Sequence, residues 1–312
     1  INVPGEDSEP IEVGSNYDVA FALFANGNLY TWGANTYGNC GFGNTTAYTT
    51  PTLAATNVSN VYSHPTCNGG YGAYTKLIIK KNDGYLYATG YNGNGNLGVG
   101  DTTNRTTFTQ IPGSFGAISV WNMGSATGCI VIQKSDYSIW VCGYNGNGQL
   151  GDGTTTSRSS LVNVTTNWGG GPGITLVKVI GGYGYVTTGG VTTSWMAMLL
   201  DDGTNRFMKY AGYGGASTPA FPFGTVSTRI EDIAGYGGGL GTSMMLFENG
   251  DLYTAGYNGY GQLGNGTTTD NYVPARRDTN VDQILCDGHD SFSYGHYSTS
   301  FYRKDNVVYA ST

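Results

Sequence analysis

The sequence predicts an all-β fold, a six-bladed β-propeller of four-stranded antiparallel blades, on three observations. A glycine-rich turn recurs in the 312-residue chain as GYNGNGNLGVG (90–100), GYNGNGQLGDG (143–153) and GYNGYGQLGNG (256–266). Short runs of strand-forming residues surround each copy, without the 3.6-residue period of a helix. The units recur every 50–60 residues or so, roughly the size of a propeller blade.

The first two strands of each unit are short apolar runs separated by a loop. The first run is IEVG (11–14) in one unit and ISVW (118–121) in another. The second runs are AFALF (20–24), KLIIK (76–80), CIVIQ (129–133), MAMLL (196–200) and SMMLF (243–247). Apolar runs of this length, bounded by glycine and polar residues, are typical of buried strands.

A tight hairpin connects the second strand to the third. Asn-Gly or Asp-Gly stands at the turn in ANGNLYTWG (25–33), NDGYLYATG (82–90) and ENGDLYTAG (248–256). These dipeptides predict type I′ turns, in which both central residues have positive φ. The third strand then alternates Leu with Tyr, so both of its faces are apolar or aromatic, as expected where sheets stack on both sides.

The fourth strand of each unit is a Thr-rich run that reaches a proline. Examples are TTAYTTP (45–51), TTNRTTFTQIP (102–112) and TTTDNYVP (267–274). Because proline cannot donate to a β-ladder, we expect this strand at the outer edge of the blade.

The repeat gives one domain over residues 1–312, with six units that begin near residues 11, 58, 117, 174, 228 and 281. The sixth unit stops at NVVYAST (306–312), after its third strand. The N-terminal INVPG (1–5) resembles NYVPA (271–275), part of a fourth strand. We therefore expect residues 1–5 to complete the last blade. A seventh blade within 165–175 or 215–227 is the alternative.

The G-x-G-x-x-G spacing in the turns also fits a dinucleotide-binding loop. A cofactor site is normally built once, and there the turn opens a helix. Here Gly151 precedes DGTTTSRSSL, which is β-prone. We interpret the glycines as positive-φ positions between the third and fourth strands, with Leu97, Leu150 and Leu263 filling the gaps between blades. No cofactor is expected.

Composition excludes several classes of function. Charged residues make up 11% of the chain and its net charge is −7, which argues against nucleic-acid binding. No stretch approaches the ~20 apolar residues that span a bilayer, so we expect no membrane insertion. The five cysteines cannot all pair, and free thiols are expected. Cys129 and Cys142, on neighbouring strands, are the alternative disulfide.

The unit G-x-N-x-x-G-Q-L-G, after a strand that ends Tyr-x-x-Gly, resembles the repeat of the regulator of chromosome condensation family. The matching positions are Gly143, Asn145, Gly148, Gln149, Leu150 and Gly151, and again Gly256, Asn258, Gly261, Gln262, Leu263 and Gly264. The resemblance implies a propeller, usually of seven blades. It leaves function open, since relatives include a GTPase exchange factor, a plant photoreceptor and a secreted bacterial inhibitor. This chain lacks the Cys-Gly-x-x-His segment that family repeats usually carry between the first and second strands.

Enlarged loops between the first and second strands are the predicted binding face. They read SHPTCNGGYGAYT (63–75), GGYGYVTTGGVTTSW (181–195), GYGGGLGTS (235–243) and DGHDSFSYGHYSTS (287–300). Tyr with Gly and Ser is the composition of adaptable recognition loops. The predicted ligand contacts are Tyr71, Tyr74, Tyr183, Tyr185, Tyr236, His289, Tyr294, His296 and Tyr297. Packing of these rings against neighbouring loops is the alternative.

Catalytic and metal-binding patterns are sparse. His289 and His296, with Asp287 and Asp290 nearby, leave a metal site or an acid–base pair open beside a solvated loop. The sequence contains neither G-x-S-x-G nor H-E-x-x-H. We therefore expect no enzyme and no metal.

The low charge and the widened loops favour a non-enzymatic recognition module that is extracellular, on a cell surface or on a virion. An adhesin or a phage tail-fibre domain would bind a cell-surface glycan or protein receptor through such uncharged aromatic loops. Two alternatives remain. One is a structural component whose partners are other subunits of a surface or viral assembly. The other is an intracellular regulator that resembles the small-GTPase exchange factor.

Overall fold

The computed structural model describes residues 3, 5–16, 19–63, 75–123, 128–186, 191–212, 228–236, 242–291 and 295–311. The chain forms two compact units. The first contains Ile1–Asn145 and Thr156–Asn163, and the second contains Gly146–Thr155 and Val164–Thr312.

The first unit holds three four-stranded antiparallel sheets. Sheet 1 consists of β1 (Glu12–Asn16), β2 (Val19–Leu23), β3 (Leu29–Gly33) and β4 (Tyr48–Ala55). Sheet 2 consists of β5 (Val58–Tyr62), β6 (Lys76–Lys81), β7 (Leu86–Gly90) and β8 (Arg105–Gln110). Sheet 3 consists of β9 (Ala117–Asn122), β10 (Cys129–Lys134), β11 (Ile139–Gly143) and β12 (Arg158–Asn163).

The second unit holds a short helix and three more sheets. The helix α1 (Thr165–Trp168) precedes sheet 4, whose strands are β13 (Thr175–Val186), β14 (Val191–Asp201) and β15 (Arg206–Gly212). Sheet 5 consists of β16 (Ile230–Tyr236), β17 (Thr242–Phe247), β18 (Leu252–Gly256) and β19 (Asn271–Asp278). Sheet 6 consists of β20 (Val281–Ser291), β21 (Gly295–Lys304) and β22 (Val307–Ser311).

Every sheet is a meander in which sequential strands pair antiparallel. The predicted all-β class and the four-stranded antiparallel sheets are confirmed. In sheets 1, 2, 3 and 5 the fourth strand lies at an edge of its sheet, as predicted, and Pro51 of β4 and Pro274 of β19 lie on such edge strands. Within the described residues, sheets 4 and 6 have three strands each. No helix in those ranges has the length and apolar character to cross a membrane.

The cores lie between neighbouring sheets of a unit. Between sheets 2 and 3, the side chains of Ile78, Leu86, Ile130 and Ile132 are fully buried together. Leu97, from a glycine-rich turn, belongs to this same cluster, as the sequence predicts. The leucine side chain fills the edge of the core and excludes water from it. The repeat has a leucine at this position because the turn lies between two sheets.

The hairpins at Asn-Gly and Asp-Gly differ from the predicted type I′ turns. The N–H of Gly27 donates to the carbonyl of Phe24 at 2.9 Å, and the N–H of Phe24 donates to the carbonyl of Asn28 at 2.9 Å. The loop therefore has three residues, and only its glycine has positive φ, +83° at Gly27. A type I turn followed by one left-handed residue accounts for this pattern. A true type I′ pair occurs in sheet 6, where Asp305 and Asn306 have φ of +52° and +61°.

Tyr137 occupies the left-handed position of the equivalent hairpin in sheet 3, with φ of +66°. Gly27, Gly84 and Gly250 hold that position in the sister hairpins. A side chain in the left-handed region costs about 1–2 kcal/mol, part of which glycine offsets through its larger unfolded-state entropy. We expect Tyr137→Gly to raise the free energy of unfolding by about 1 kcal/mol, measured by urea denaturation. An unchanged or lower value would show that the exposed ring contributes more than the strain removes.

The cysteines of sheet 3 are free thiols. Cys129 pairs across the sheet with Gly143, while Cys142 pairs with Ile130. Because adjacent residues on a strand alternate faces, Cys129 and Cys142 point to opposite sides of the sheet, which precludes the alternative disulfide. Burial raises the pKa of each of these two thiols to about 12.

Candidate functional site

Two of the predicted recognition loops are largely β-ribbon. The strands β13 and β14 pair from Thr175 opposite Asp201 out to Val186 opposite Val191, whereas β15 pairs only as far as Trp195. Likewise β20 and β21 pair beyond the end of β22, out to Ser291 opposite Gly295. The prediction of open loops at 181–195 and 287–300 is therefore wrong in its local structure. Tyr, Thr and Val in 181–195 favour strand pairing, and pairing satisfies the backbone hydrogen bonds of the paired residues.

The register places six of the nine predicted contact residues on these ribbons or at a strand end. Tyr183 and Tyr185 lie two residues apart on β13 and share one face of the ribbon. Tyr236 ends β16 opposite Thr242. His289 and His296 lie on β20 and β21, and Tyr297 is opposite His289. The other three, Tyr71, Tyr74 and Tyr294, lie outside the described residues.

The two histidines do not share a face of their ribbon. His289 is paired with Tyr297, whereas His296 is paired with Asp290, the neighbour of His289. Adjacent residues alternate faces, so the two histidine positions lie on opposite sides. The register therefore does not favour the metal site or acid–base pair that the sequence left open at these histidines. Elsewhere in the described part of the chain, no three His, Cys, Asp or Glu side chains form a group that could hold a metal ion.

The glycine-rich turns are organised by a buried asparagine, a role that the sequence prediction missed. In sheet 2, Oδ1 of Asn92 accepts the N–H of Leu97 at 2.8 Å. Its Nδ2 donates to the carbonyls of Asp101 at 2.8 Å and Thr103 at 3.0 Å. Asn35 and Asn258 make the same three contacts in their own turns. The signal was present in the sequence, because an asparagine recurs two residues after the glycine that ends each of these third strands.

In the glycine-rich turn of sheet 2 the backbone N–H groups of three glycines already have acceptors. The N–H groups of Gly95, Leu97 and Gly98 donate to acceptors within the turn. The N–H of Gly100 donates to the carbonyl of Ser159 at 2.8 Å. A phosphate-binding loop instead directs its free N–H groups at the ligand. The sequence interpretation of these glycines as structural agrees with this geometry.

Tyrosines surround the same turns. The rings of Tyr37 and Tyr91 meet edge to face with centroids 5.3 Å apart, and those of Tyr257 and Tyr260 do so at 6.2 Å. Burial, followed by the neighbouring Tyr260 and Asp270, raises the pKa of Tyr257. In sheet 5 this turn and the β16–β17 connection lie at the same end, because Gly256 and Tyr236 both end their strands there. The tyrosine turn of sheet 5 thus lies at the end of its sheet where β16 ends.

Comparison with known families identifies repeats within the chain. Residues 26–67 and 249–286 match the regulator of chromosome condensation (RCC1) repeat. These segments include the third strands of sheets 1 and 5 and the glycine-rich turns that follow them.

Two curated relatives match longer parts of the chain. The Arabidopsis thaliana ultraviolet-B receptor UVR8 is 25% identical over 287 residues, which are 90% of this chain and 61% of the receptor. The Homo sapiens X-linked retinitis pigmentosa GTPase regulator is 26% identical over 154 residues, 48% of this chain and 15% of that protein. The chain therefore spans less than two thirds of the length of either relative.

Among solved structures, yeast RCC1 (Prp20), in a crystal structure with Kap60 bound, has a similar fold. The TM-score is 0.61 at 15% identity, and the match covers 95% of this chain and 66% of the yeast chain. A second structure of the Saccharomyces cerevisiae protein, described with its binding properties to Gsp1p and histones, has a TM-score of 0.54 at 16% identity, covering 97% and 68%. At these identities the likeness is one of fold.

These comparisons overturn the predicted biology. The expected adhesin, phage tail-fibre or virion module, outside a cell and bound to a surface glycan or receptor, is wrong. The matching proteins are a light receptor, a GTPase regulator and a yeast protein studied with protein partners. The error arose because low charge and Gly/Tyr-rich segments are also what closely stacked sheets need, so composition alone did not indicate an external surface.

Proposed function

We propose that this chain, an RCC1-like β-propeller, is a regulatory protein that binds a small GTPase and accelerates release of its nucleotide. The observation that carries the proposal is the similarity to a GTPase regulator over 154 residues, together with the RCC1 fold. The activity needs binding energy and no covalent step, since a partner that prefers the nucleotide-free state lowers nucleotide affinity by linkage. The protein is accordingly proposed to be non-enzymatic.

The proposed contact surface is the end of the sheets that carries the two ribbons. In the second unit its proposed contacts are Tyr183, Tyr185, Tyr236, His289, His296 and Tyr297. Tyr71, Tyr74 and Tyr294, which lie outside the described residues, are proposed contacts from the sequence alone. Tyrosine supplies a large amphipathic contact area at low entropic cost, and it is enriched at the centres of protein interfaces. The ribbons support this role because they extend past the third strands of sheets 4 and 6, which pair only as far as Trp195 and Ser300.

The proposed architecture is a single propeller of six blades over residues 1–312, in which residues 1–5 supply the fourth strand of sheet 6. The described part of this segment lies on sheet 1: the side chain of Val3 is 2% exposed and packs on Ala22, Phe24 and Tyr30. Its pairing with sheet 6 is the proposed step. Glu6 anchors the segment by accepting hydrogen bonds from Asn28 at 2.8 Å and from Asn26 at 2.9 Å. The N-terminal segment is thus held against a sheet rather than solvated.

The test is release of fluorescent GDP from a panel of purified small GTPases, with and without this protein. We expect accelerated release from at least one GTPase. In the double variant Tyr183→Ala/Tyr185→Ala this acceleration should be more than about tenfold smaller than with the wild type, because truncating a central interface tyrosine costs about 2 kcal/mol.

The matched control is Tyr137→Ala, an exposed tyrosine in a hairpin at the opposite end of its sheet. It should accelerate release as the wild type does. A flat response across the panel would remove the GTPase proposal. Equal loss in both variants would remove the ribbon as the contact surface.

A further inference from the structure

The glycine-rich turn of sheet 5 packs against a charged side chain where the other turns pack against apolar ones. In sheet 1 the third glycine of the turn lies against Phe108, in sheet 2 against Cys142 and Ile111, and in sheet 3 against the ring of Trp168. In sheet 5 that glycine is Gly264. A β-carbon there would lie 3.2 Å from Nε of Arg277 and 3.2 Å from Cβ of Ser311.

Arg277 lines an open cavity of ≈ 630 Å³. The remaining lining residues are Tyr260, Gly261, Gly264, Gly266, Thr267, Thr268, Ala310 and Ser311. Among these described residues, Arg277 is the one charged group, and the others supply hydroxyls and glycine backbone. The cavity is therefore polar and positive, in contrast to the fully buried Ile111 and Trp168 at the equivalent places.

The guanidinium of Arg277 has an unused donor. Its Nε is buried and has no hydrogen-bond partner among the residues that the structure describes. The nearest acidic residue in sequence, Asp278, is engaged elsewhere: it accepts from Lys304 at 2.8 Å and from the Tyr302 hydroxyl at 2.9 Å. The Lys304 contact, the largest influence, holds the pKa of Asp278 at about 2. No ion pair of Arg277 occurs among the described residues.

A buried donor on a cation without an acceptor is unfavourable, and an anion that reaches it is bound strongly. Arginine presents its donors in a planar fork that matches the two oxygens of a carboxylate or phosphate. The hydroxyl of Thr268, which also lines the cavity, is suited to donate to a further oxygen of such a group. We propose that the cavity at Arg277 is a binding site for a small oxyanion, a phosphate or a carboxylate group.

This proposal does not rest on the proposed GTPase binding, because its probes are small anions and no GTPase is present. Its test uses inorganic phosphate and acetate as probes, each titrated at ionic strength held constant with NaCl. The first readout is the Nε–H signal of Arg277 in a nitrogen-15 NMR spectrum, assigned by its loss in Arg277→Met. We expect phosphate, acetate or both to shift this signal with saturation, and comparison of the two probes tells which group the site prefers.

The second readout is the unfolding equilibrium. At a probe concentration ten times its dissociation constant, the unfolding constant of the wild type should fall about tenfold relative to NaCl alone. Arg277→Met should show no such response, and its anion-free stability should equal or exceed that of the wild type, because an apolar side chain suits this position.

Arg276→Gln is the matched control. Its neighbouring guanidinium is largely exposed and lies 3.7 Å from Asp251. This variant should keep the wild-type response to both probes. The proposal is overturned if neither probe shifts the Arg277 signal beyond the NaCl reference, or if Arg277→Met responds as the wild type does.

Discussion

Replacing Asn92 with leucine is expected to lower the free energy of unfolding by about 3–5 kcal/mol, the largest effect predicted here for one side chain. Asn92 is fully buried and serves three backbone groups of its turn. Leucine fills a similar volume but accepts and donates nothing. The N–H of Leu97 and the carbonyls of Asp101 and Thr103 would then be left without this partner, at about 1–3 kcal/mol for each that stays buried.

The measurement is urea denaturation of Asn92→Leu beside the control Asn60→Ala. Asn60 is an exposed residue of β5 in the same sheet, so its loss should change stability by less than about 0.5 kcal/mol. If Asn92→Leu unfolds at the wild-type urea midpoint, the asparagine does not hold the turn, and its recurrence in the repeat needs another explanation.

The second large effect is expected at Gly95, in the same turn. A β-carbon at this position would lie 2.5 Å from Cα of Ser159 and 2.8 Å from the carbonyl oxygen of Arg158. Both obstacles are backbone atoms of β12, so no side-chain rotation relieves the contact. We expect Gly95→Ala to destabilise the protein by more than about 3 kcal/mol through forced separation of the turn and the strand.

Gly100→Ala separates this clash from backbone strain. Gly100 also has positive φ, +100°, but a β-carbon there would meet nothing within 4 Å. Its substitution should cost only the left-handed penalty of about 1–2 kcal/mol. Chemical denaturation of both variants gives the comparison. Equal losses would mean that the turn yields to the added methyl group and that close packing on β12 is not what selects glycine.

Together these two predictions explain why a sequence that looks like a dinucleotide fingerprint recurs here. The glycines allow a turn to approach the outer strand of the next sheet, as Gly38 does over Thr106 and Gly95 does over Ser159. The asparagine side chain then bonds backbone N–H and C=O groups of the turn that have no backbone partner within it. Spacing alone does not distinguish this arrangement from a phosphate-binding loop, because both need glycine where backbone approaches closely.

Strand periodicity and turn chemistry in the sequence were enough to determine the all-β class, the four-strand unit and the outer position of the Thr-rich strand. These features are local: alternation, β-branched residues and proline act within a few residues. The buried Leu29, Leu86 and Leu252 lie where that alternation puts them. The recognition of the RCC1 repeat also came from local spacing, and comparison with known proteins confirmed it.

Other features depended on residues far apart in the chain, and only the tertiary structure decided them. Pairing of β13 with β14 and of β20 with β21 made ribbons of segments that read as loops, because backbone hydrogen bonds favour pairing once both strands are held in a sheet. Packing against Gly264 left the guanidinium of Arg277 facing a polar cavity. Contacts between strands decide which hydrogen-bond acceptors lie near a charged group such as Arg277. The sequence alone does not give the distances between those strands.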